Sequence, residues 1–215
     1  KVSWAPGLFD LDNDTDLDLF FANGHLNSVS GDNRQANLLF ENDGGGRFSD
    51  ISDKSGVLST GKRIHRSAIF ADYDDDGRVD IFVTVNGQQV EDGKGNNVFD
   101  PNQGKGILFH NDTKNNNNWL KVRLEGTKSN RDGLGSKVKI KSGAFTDEKA
   151  LVSGEGYFSS SAKEIYFGLG ETTSIDKLTV LWPSGHDDIF ENIKANQTVY
   201  IIEGKQLYQD TLRSP

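Results

Sequence analysis

The sequence predicts an all-β chain of two repeated β units in residues 1–114 and an antiparallel β-sandwich or barrel-like domain in residues 115–215. Three observations carry this. An Asp-rich segment recurs together with the strand-like run after it. The C-terminal half alternates apolar and polar residues with period two between Gly turns. No stretch sustains a helical period.

The repeat comes first along the chain. Gly7–Gly24, GLFDLDNDTDLDLFFANG, resembles Ala68–Gly87, AIFADYDDDGRVDIFVTVNG, and the two Asp loops begin at Asp10 and Asp72. A second element, NLLFEND at Asn37–Asp43, returns as GILFHND at Gly106–Asp112, slightly further on than the loop offset requires. The surplus falls in the loop EDGKGNNVFDPNQGKG. Each unit therefore reads as Asp loop, strand, variable loop, strand and Asn-Asp turn. In the first unit GRFSDISDKSGV adds a further short strand.

Four consecutive Asn at 115–118 mark the joint. Beyond it, WLKVRLEG points Leu120, Val122 and Leu124 to one face and Lys121, Arg123 and Glu125 to the other. SKVKIKSG repeats the pattern with Val138 and Ile140 inward and Lys137, Lys139 and Lys141 on the solvated face. EIYFGLG, KLTVLWPSG and TVYIIEG are strand-like as well, and Trp182, followed directly by a Pro-Ser-Gly turn, belongs to the core or a hinge.

Charge sharpens the division. The net charge is −8, and residues 1–118 hold 19 acids and 11 bases while the remainder is balanced. The acidity thus coincides with the Asp loops, and without a basic stripe nucleic acid is excluded as a partner. There is no Cys, so disulfide and thiolate-metal chemistry are excluded. No apolar run is long enough to span a bilayer. With no Met, and with the opening KVSWAPGLFDLD running straight into a motif, the chain reads as a piece of a longer one.

In the first Asp loop carboxylates occupy loop positions 1, 3, 5, 7 and 9: Asp10, Asp12, Asp14, Asp16 and Asp18. In the second they occupy positions 1, 3, 5 and 9, namely Asp72, Asp74, Asp76 and Asp80, with Gly77 after the third. Alternate residues of a tight loop point inward, and the backbone carbonyls of Asp16 and Arg78 at position 7 are the further donors. Packing four or five carboxylates together costs free energy unless a cation offsets it. All-oxygen cages of this kind suit calcium rather than magnesium, so two calcium sites are expected. An EF-hand is excluded, because its position-12 Glu is replaced by Phe21 and Val83, both inside strand-like runs. Thr15 stands where the second loop has Gly77. Asn13, Asn111 and Asn196 each begin a glycosylation sequon.

The D-x-D-x-D-G-x-x-D loop, the apolar strand after it and the blade-sized spacing from Asp10 to Asp72 resemble the FG-GAP or VCBS repeats of β-propellers. NNWLKVRLEGTKSNRDGLGSKVKI, GYFSSSAKEIYFGLG, LTVLWPSG and ANQTVYIIEG resemble the ASPIC/UnbV domain, and the whole pattern is similar to the cartilage acidic protein-like family. The resemblance implies two propeller-blade-like repeats supported by calcium, an extracellular or cell-surface setting, and no enzymatic reaction. A closed propeller has about four to eight blades, and two units are visible here. Upstream blades or self-association into a ring or filament are therefore the expected partners.

Motifs that would signal catalysis are absent. His25, His65, His110 and His186 are scattered and read as surface or turn residues. The Gly-rich runs fit no phosphate loop, and no G-x-S-x-G elbow occurs. Ser159, Ser160 and Ser161 read as turn or strand residues. The function expected is an extracellular structural or adhesion module. The alternative is a carbohydrate- or protein-ligand-binding module, for which exposed aromatics such as Trp4 and Tyr157 are the candidate contacts.

Overall fold

A computed structural model describes residues 1–26, 33–87, 89–91, 97–99 and 104–209. All regular structure among them is β, and no helix long and apolar enough to cross a membrane is present.

The first unit is a four-stranded antiparallel sheet in chain order: β1 (Ser3–Phe9), β2 (Asp18–Asn23), β3 (Leu38–Asn42) and β4 (Phe48–Asp50). The second is built likewise from β5 (Ile64–Ala71), β6 (Asp80–Asn86) and β9 (Ile107–Phe109). Its longer variable loop contains a separate hairpin, β7 (Gln89–Glu91) with β8 (Asn97–Phe99). Both Asp loops thus connect the first two strands of their sheets, and the closing Asp of each loop opens the second strand.

Period-two alternation decides how the two sheets meet. Ala5, Phe9, Phe20, Ala22 and Leu39 face Ala68, Ile81 and Val83 across one buried core. The Phe9 and Phe70 rings lie 4.9 Å apart at its centre. Gly7 leaves the room for this, since a Cβ there would lie 1.9 Å from a Phe70 ring carbon. The opposite face of the first sheet carries Pro6, Leu8, Leu19, Phe21 and Phe40, which are exposed or half-buried. The opposite face of the second carries Ile69, Phe82 and Leu108. Each sheet is therefore apolar on both sides, with one side covered by its neighbour.

The C-terminal half is a two-sheet sandwich. One sheet orders β13 (Glu164–Gly170), β10 (Asn118–Glu125), β16 (Gln197–Ile202) and β17 (Leu207–Gln209). The other orders β12 (Phe145–Ala150), β11 (Lys137–Ser142), β14 (Ser174–Leu181) and β15 (Asp187–Lys194). Leu120, Val122, Phe167, Val199 and Ile201 from the first sheet meet Val138, Ile140, Leu178 and Val180 from the second. All pairings are antiparallel except β10 with β16, which is parallel. Alternation alone does not specify strand direction, so the sequence reading of a purely antiparallel domain misses this pair.

Two C-terminal devices account for motifs in the sequence. Trp182 is buried and donates from Nε1 to Asp188 Oδ2 at 2.8 Å. Glu203 accepts from the backbone N–H groups of Thr127, Lys128 and Ser129 and from the hydroxyls of Ser129 and Ser184. Burial pushes the Glu203 carboxyl up, but these donors outweigh it and hold the group well below the usual range.

The sandwich docks on the repeats. Residues 157–162 run beside β5 and cover its edge: Ser67 Oγ donates to the Tyr157 carbonyl, Ser159 Oγ to the Ala68 carbonyl, and Ala162 N to the Phe70 carbonyl. The serines at 159 and 161 thus serve as edge partners, since Ser161 Oγ also accepts from Phe70 N. A second contact lies at the Asp loops.

Candidate metal centres

The two Asp loops hold their first and last carboxylates in the same way. Asp10 accepts from Asp14 N and Thr15 N, both at 3.1 Å; Asp72 accepts from Asp76 N and Gly77 N, both at 3.0 Å. Asp18 accepts from Leu11 N at 2.8 Å and Asn42 N at 2.9 Å. Asp80 accepts from Tyr73 N at 3.0 Å and Asn111 N at 2.7 Å. The first and last carboxylates of each loop are thus pinned by backbone donors, which fixes where their remaining lone pairs point.

This geometry gives the Asn-Asp turn of each repeat a role that sequence reading missed. Asn42 and Asn111 follow or end the third strand of each unit, and their N–H groups orient the last loop carboxylate. Their side-chain amides donate to the Leu17 and Val79 carbonyls at 3.2 Å, stapling strand to loop in both copies. The signal was present in the recurrence of Asn at the same offset from a strand-like run.

The backbone repeats as well. Asn13 and Asp75 both sit at φ 61°, while Thr15 at φ 88° matches Gly77 at φ 87°. Thr15 thus adopts the left-handed conformation that the loop demands and that glycine takes without a Cβ penalty.

Carboxylate oxygens of Asp10, Asp12 and Asp18 converge within 4.8 Å of one another, as do those of Asp72, Asp74 and Asp80. Asp14 and Asp16 are not in the first trio. Asp14 is exposed and accepts from Asp16 N, and Asp16 Oδ1 is buried without a hydrogen-bond partner. In the second loop Asp76 accepts from Arg78 N at 2.9 Å and pairs with the Arg78 guanidinium, while Arg78 Nε donates to the Asn111 carbonyl. Asp74, Asp76 and His110 form an overlapping trio, with His110 Nε2 3.0 Å from Asp74 Oδ2. His110, read from sequence as a surface or turn residue, is exposed as expected but stands at the rim of this cluster, whereas His65, read the same way, is fully buried on β5 with Nδ1 2.8 Å from the Asn23 carbonyl.

Electrostatics follow from the packing. Burial pushes the Asp10 carboxyl up to about 7, and Asp14 and Asp12 add to the rise against Lys149 and the Thr15 N–H. Burial likewise pushes Asp18 up to about 6, aided by Asp12 and Asp16. Asp12 and Asp16 are raised by burial and by Asp14. In the second loop burial raises Asp80, and it raises Asp72 against the opposing pull of Lys121. Groups arranged this way resist ionising together, and a divalent cation among them would supply the missing positive charge. The donor set fits such an ion: hard oxygens, preset by backbone N–H bonds, with an unpartnered buried oxygen on Asp16.

Both loops abut the C-terminal sandwich and each other. Asn13 Nδ2 donates to the Gly77 carbonyl, and Asn111 Nδ2 to the Leu11 carbonyl. Gly170 N donates to the Asn13 carbonyl, and Asn117 Nδ2 to the Asp12 carbonyl. Lys121, read from alternation as pointing away from the core, is instead fully buried, with Nζ on Asp72 and Asp75. Period two gives the face of a strand and does not tell what covers that face. Two glycines permit the close approach: a Cβ on Gly77 would lie 1.9 Å from the Trp119 ring, and one on Gly168 would lie 1.9 Å from Asp10 Oδ2.

Residues 10–83 match the model of an FG-GAP-like repeat, and residues 126–207 match the model described as ASPIC and UnbV. The chain is 28% identical over 214 residues to human Cartilage acidic protein 1, covering 96% of this chain and 29% of that protein. The mouse protein of the same name is 28% identical over 181 residues, covering 82% of this chain and 25% of its own length. The chain thus spans less than a third of the length of the curated relatives it matches.

Proposed function

We propose, from the matches to an FG-GAP-like repeat and to the ASPIC and UnbV model, that the chain is an extracellular, calcium-supported structural or adhesion module rather than an enzyme. The observation that carries the reading is the duplicated cage, in which three carboxylates converge in each loop and backbone N–H groups hold the first and last of them. Asp10, Asp12 and Asp18 would hold one ion, and Asp72, Asp74 and Asp80 the other, with the Asp16 and Arg78 carbonyls as further donors. A bound divalent cation would neutralise buried negative charge at the joint between the repeats and the sandwich. The chain's own residues then keep that joint in register through Asn13, Asn117 and Trp119, while Asn111 ties the second repeat to the first loop. A name such as cartilage acidic protein, borne by the relatives, is in keeping with a matrix setting.

Calorimetry of the EDTA-stripped chain, with and without added calcium, tests the reading. A rise in melting temperature with calcium, and calcium found by elemental analysis before stripping, are expected. An unchanged melt with no metal found refutes it.

The uncovered apolar faces, Leu8, Leu19, Phe21 and Phe40 on one sheet and Phe82 and Leu108 on the other, favour packing against further β sheets. Those sheets would belong to the same protein or to a second copy of this chain. Light scattering in calcium checks the second case, and a clean monomer rules out obligate self-association.

A second reading, a module that binds carbohydrate or a protein ligand, is favoured by one cluster. Phe158 is 92% exposed and sits at φ 50°, next to Tyr157, whose ring lies tilted with its centroid 4.9 Å from that of Trp4. A bulky residue held outward in a left-handed conformation is stored strain of the kind found at binding sites. A glycan array probed with the parent and Phe158→Ala distinguishes the two: binding lost in the variant supports the second reading.

A further inference from the structure

The two Asp loops match in backbone and in acid count but not in counter-charge. Each carries five carboxylates: Asp10, Asp12, Asp14, Asp16 and Asp18 in the first, and Asp72, Asp74, Asp75, Asp76 and Asp80 in the second. Among the described residues, no Lys, Arg or His forms an ion pair with any carboxylate of the first loop. Lys149 acts on Asp10 only from a distance, since its Nζ is engaged by the Tyr166 carbonyl and by Asp147. Where the sandwich meets Asp10 directly it presents Gly168, which brings backbone and no charge.

The second loop is met by cations at each side. Lys121, fully buried on β10, places Nζ 2.7 Å from Asp72 Oδ2 and 2.5 Å from Asp75 Oδ1. Arg123, two residues on along the same strand face, approaches Asp75 Oδ1 at 3.2 Å and is held from behind by Glu164. Arg78 covers Asp76. At the position of Asp75 the first loop has Asn13, a neutral amide that donates to the Gly77 carbonyl.

We infer that the two loops are unequal: the first is the tight divalent-cation site, and the second is neutralised from within by Lys121 and Arg123, so that it takes a cation far more weakly while the sandwich is docked. The inference rests on the calcium reading of the loops and goes beyond it by assigning Lys121 as a tethered counter-ion. Lys121 bonds directly to the first carboxylate of the second trio, so an incoming cation meets a fixed positive charge within a few ångströms in a water-poor joint. In a medium of effective dielectric about 20, a unit charge about 4 Å away changes the dissociation constant of a monovalent ion by on the order of a thousandfold, and a divalent ion is repelled more strongly still. Part of the repulsion whose relief drives binding at the first loop is already offset at the second by Lys121 and Arg123. The same contact makes the second loop a latch, since its charge balance holds only while β10 stays docked.

Isothermal titration of the EDTA-stripped 215-residue chain with calcium reads the asymmetry. The expected result is one tight site per chain and a second at least about a hundredfold weaker. Asp12→Asn should abolish the tight phase, whereas Asp74→Asn should leave it intact. Lys121→Met should bring the second site up to comparable affinity. Should that variant fail to fold, Arg123→Gln, at a partly exposed position, should strengthen the weak phase while leaving the tight one unchanged. Two sites of equal affinity in the parent chain, or loss of the tight phase on Asp74→Asn in place of Asp12→Asn, overturn the inference and leave the calcium reading standing. No binding at all overturns both.

Discussion

Replacing Asp12 by Asn should reverse the order of stability between calcium and EDTA. Asp12 Oδ1 accepts from Asp14 N at 3.2 Å, and an Asn oxygen can keep that bond. Its negative charge is among the causes that raise Asp10 and Asp18. Without calcium, the variant should therefore be as stable as the parent, or more stable by up to about 1 kcal/mol. With calcium, it loses one of the three converging carboxylates. At a calcium concentration about a hundredfold above the parent Kd, linkage gives the parent ~2.7 kcal/mol that the variant forgoes. For a chain of this size that is a melting-temperature deficit of roughly 5–10 °C. Calorimetric melts of both proteins in both buffers provide the four values. General damage to the fold would lower the variant in both buffers alike, and that outcome, or a variant that keeps the full calcium response, refutes the assignment of Asp12.

The pH dependence should also change sign with calcium. Asp10 and Asp18 have folded-state pKa values raised to about 7 and about 6, so the calcium-free fold is favoured below the ordinary carboxylate pKa. It should lose stability as pH rises from about 4 to about 7, whereas calcium should reverse the slope; urea melts across that window check both. Thr15→Gly should stabilise the chain by roughly 0.5–1 kcal/mol, because the left-handed strain it relieves at φ 88°, about 1–2 kcal/mol, exceeds the backbone entropy glycine loses; a loss of stability in chemical denaturation would contradict the strain. Gly77→Ala puts a Cβ 1.9 Å from the Trp119 ring, so the sandwich should tilt off the loop, at a cost of about 1–3 kcal/mol, with faster protease cleavage around Asn115–Asn118; unchanged cleavage would contradict the contact. Glu203→Gln weakens the bonds from Thr127, Lys128 and Ser129 and should cost about 2–4 kcal/mol, read as a lower urea midpoint; an unmoved midpoint would deny those bonds their role.

Much of this architecture was legible in the residues. The recurrence of the loop pattern at Asp10 and Asp72 places equivalent carboxylates at equivalent turns, and the flanking apolar runs become the paired strands. Alternation from Leu120 to Leu124 and at Val138 and Ile140 identifies the sandwich core. What escaped is what depends on distant partners. Lys121 obeys the alternation and still faces protein, because the second Asp loop lies over that face of β10. Asn42 and Asn111 were visible as a repeat, but their task exists only once a third strand ends beside the loop. His110 came into the acidic cluster for the same reason. The parallel pairing of β10 with β16 needed the order of the sheet, which local pattern does not encode.

That parallel pairing bears on how the chain is made. Leu120 lies beside Gln197, and β10 is flanked on its other side by β13, so this inner strand of the sheet waits for a partner far downstream. Contacts so distant along the chain are entropically slow to close and place the sandwich among the slow-folding β topologies. During synthesis the Asp-rich repeats emerge first, and the strand that carries Lys121 is flanked on both sides only when residues 197–202 arrive. In that interval the second loop lacks its internal ammonium. Calcium in the surroundings would then be a folding factor for the nascent repeats, displaced from the second loop as the sandwich closes.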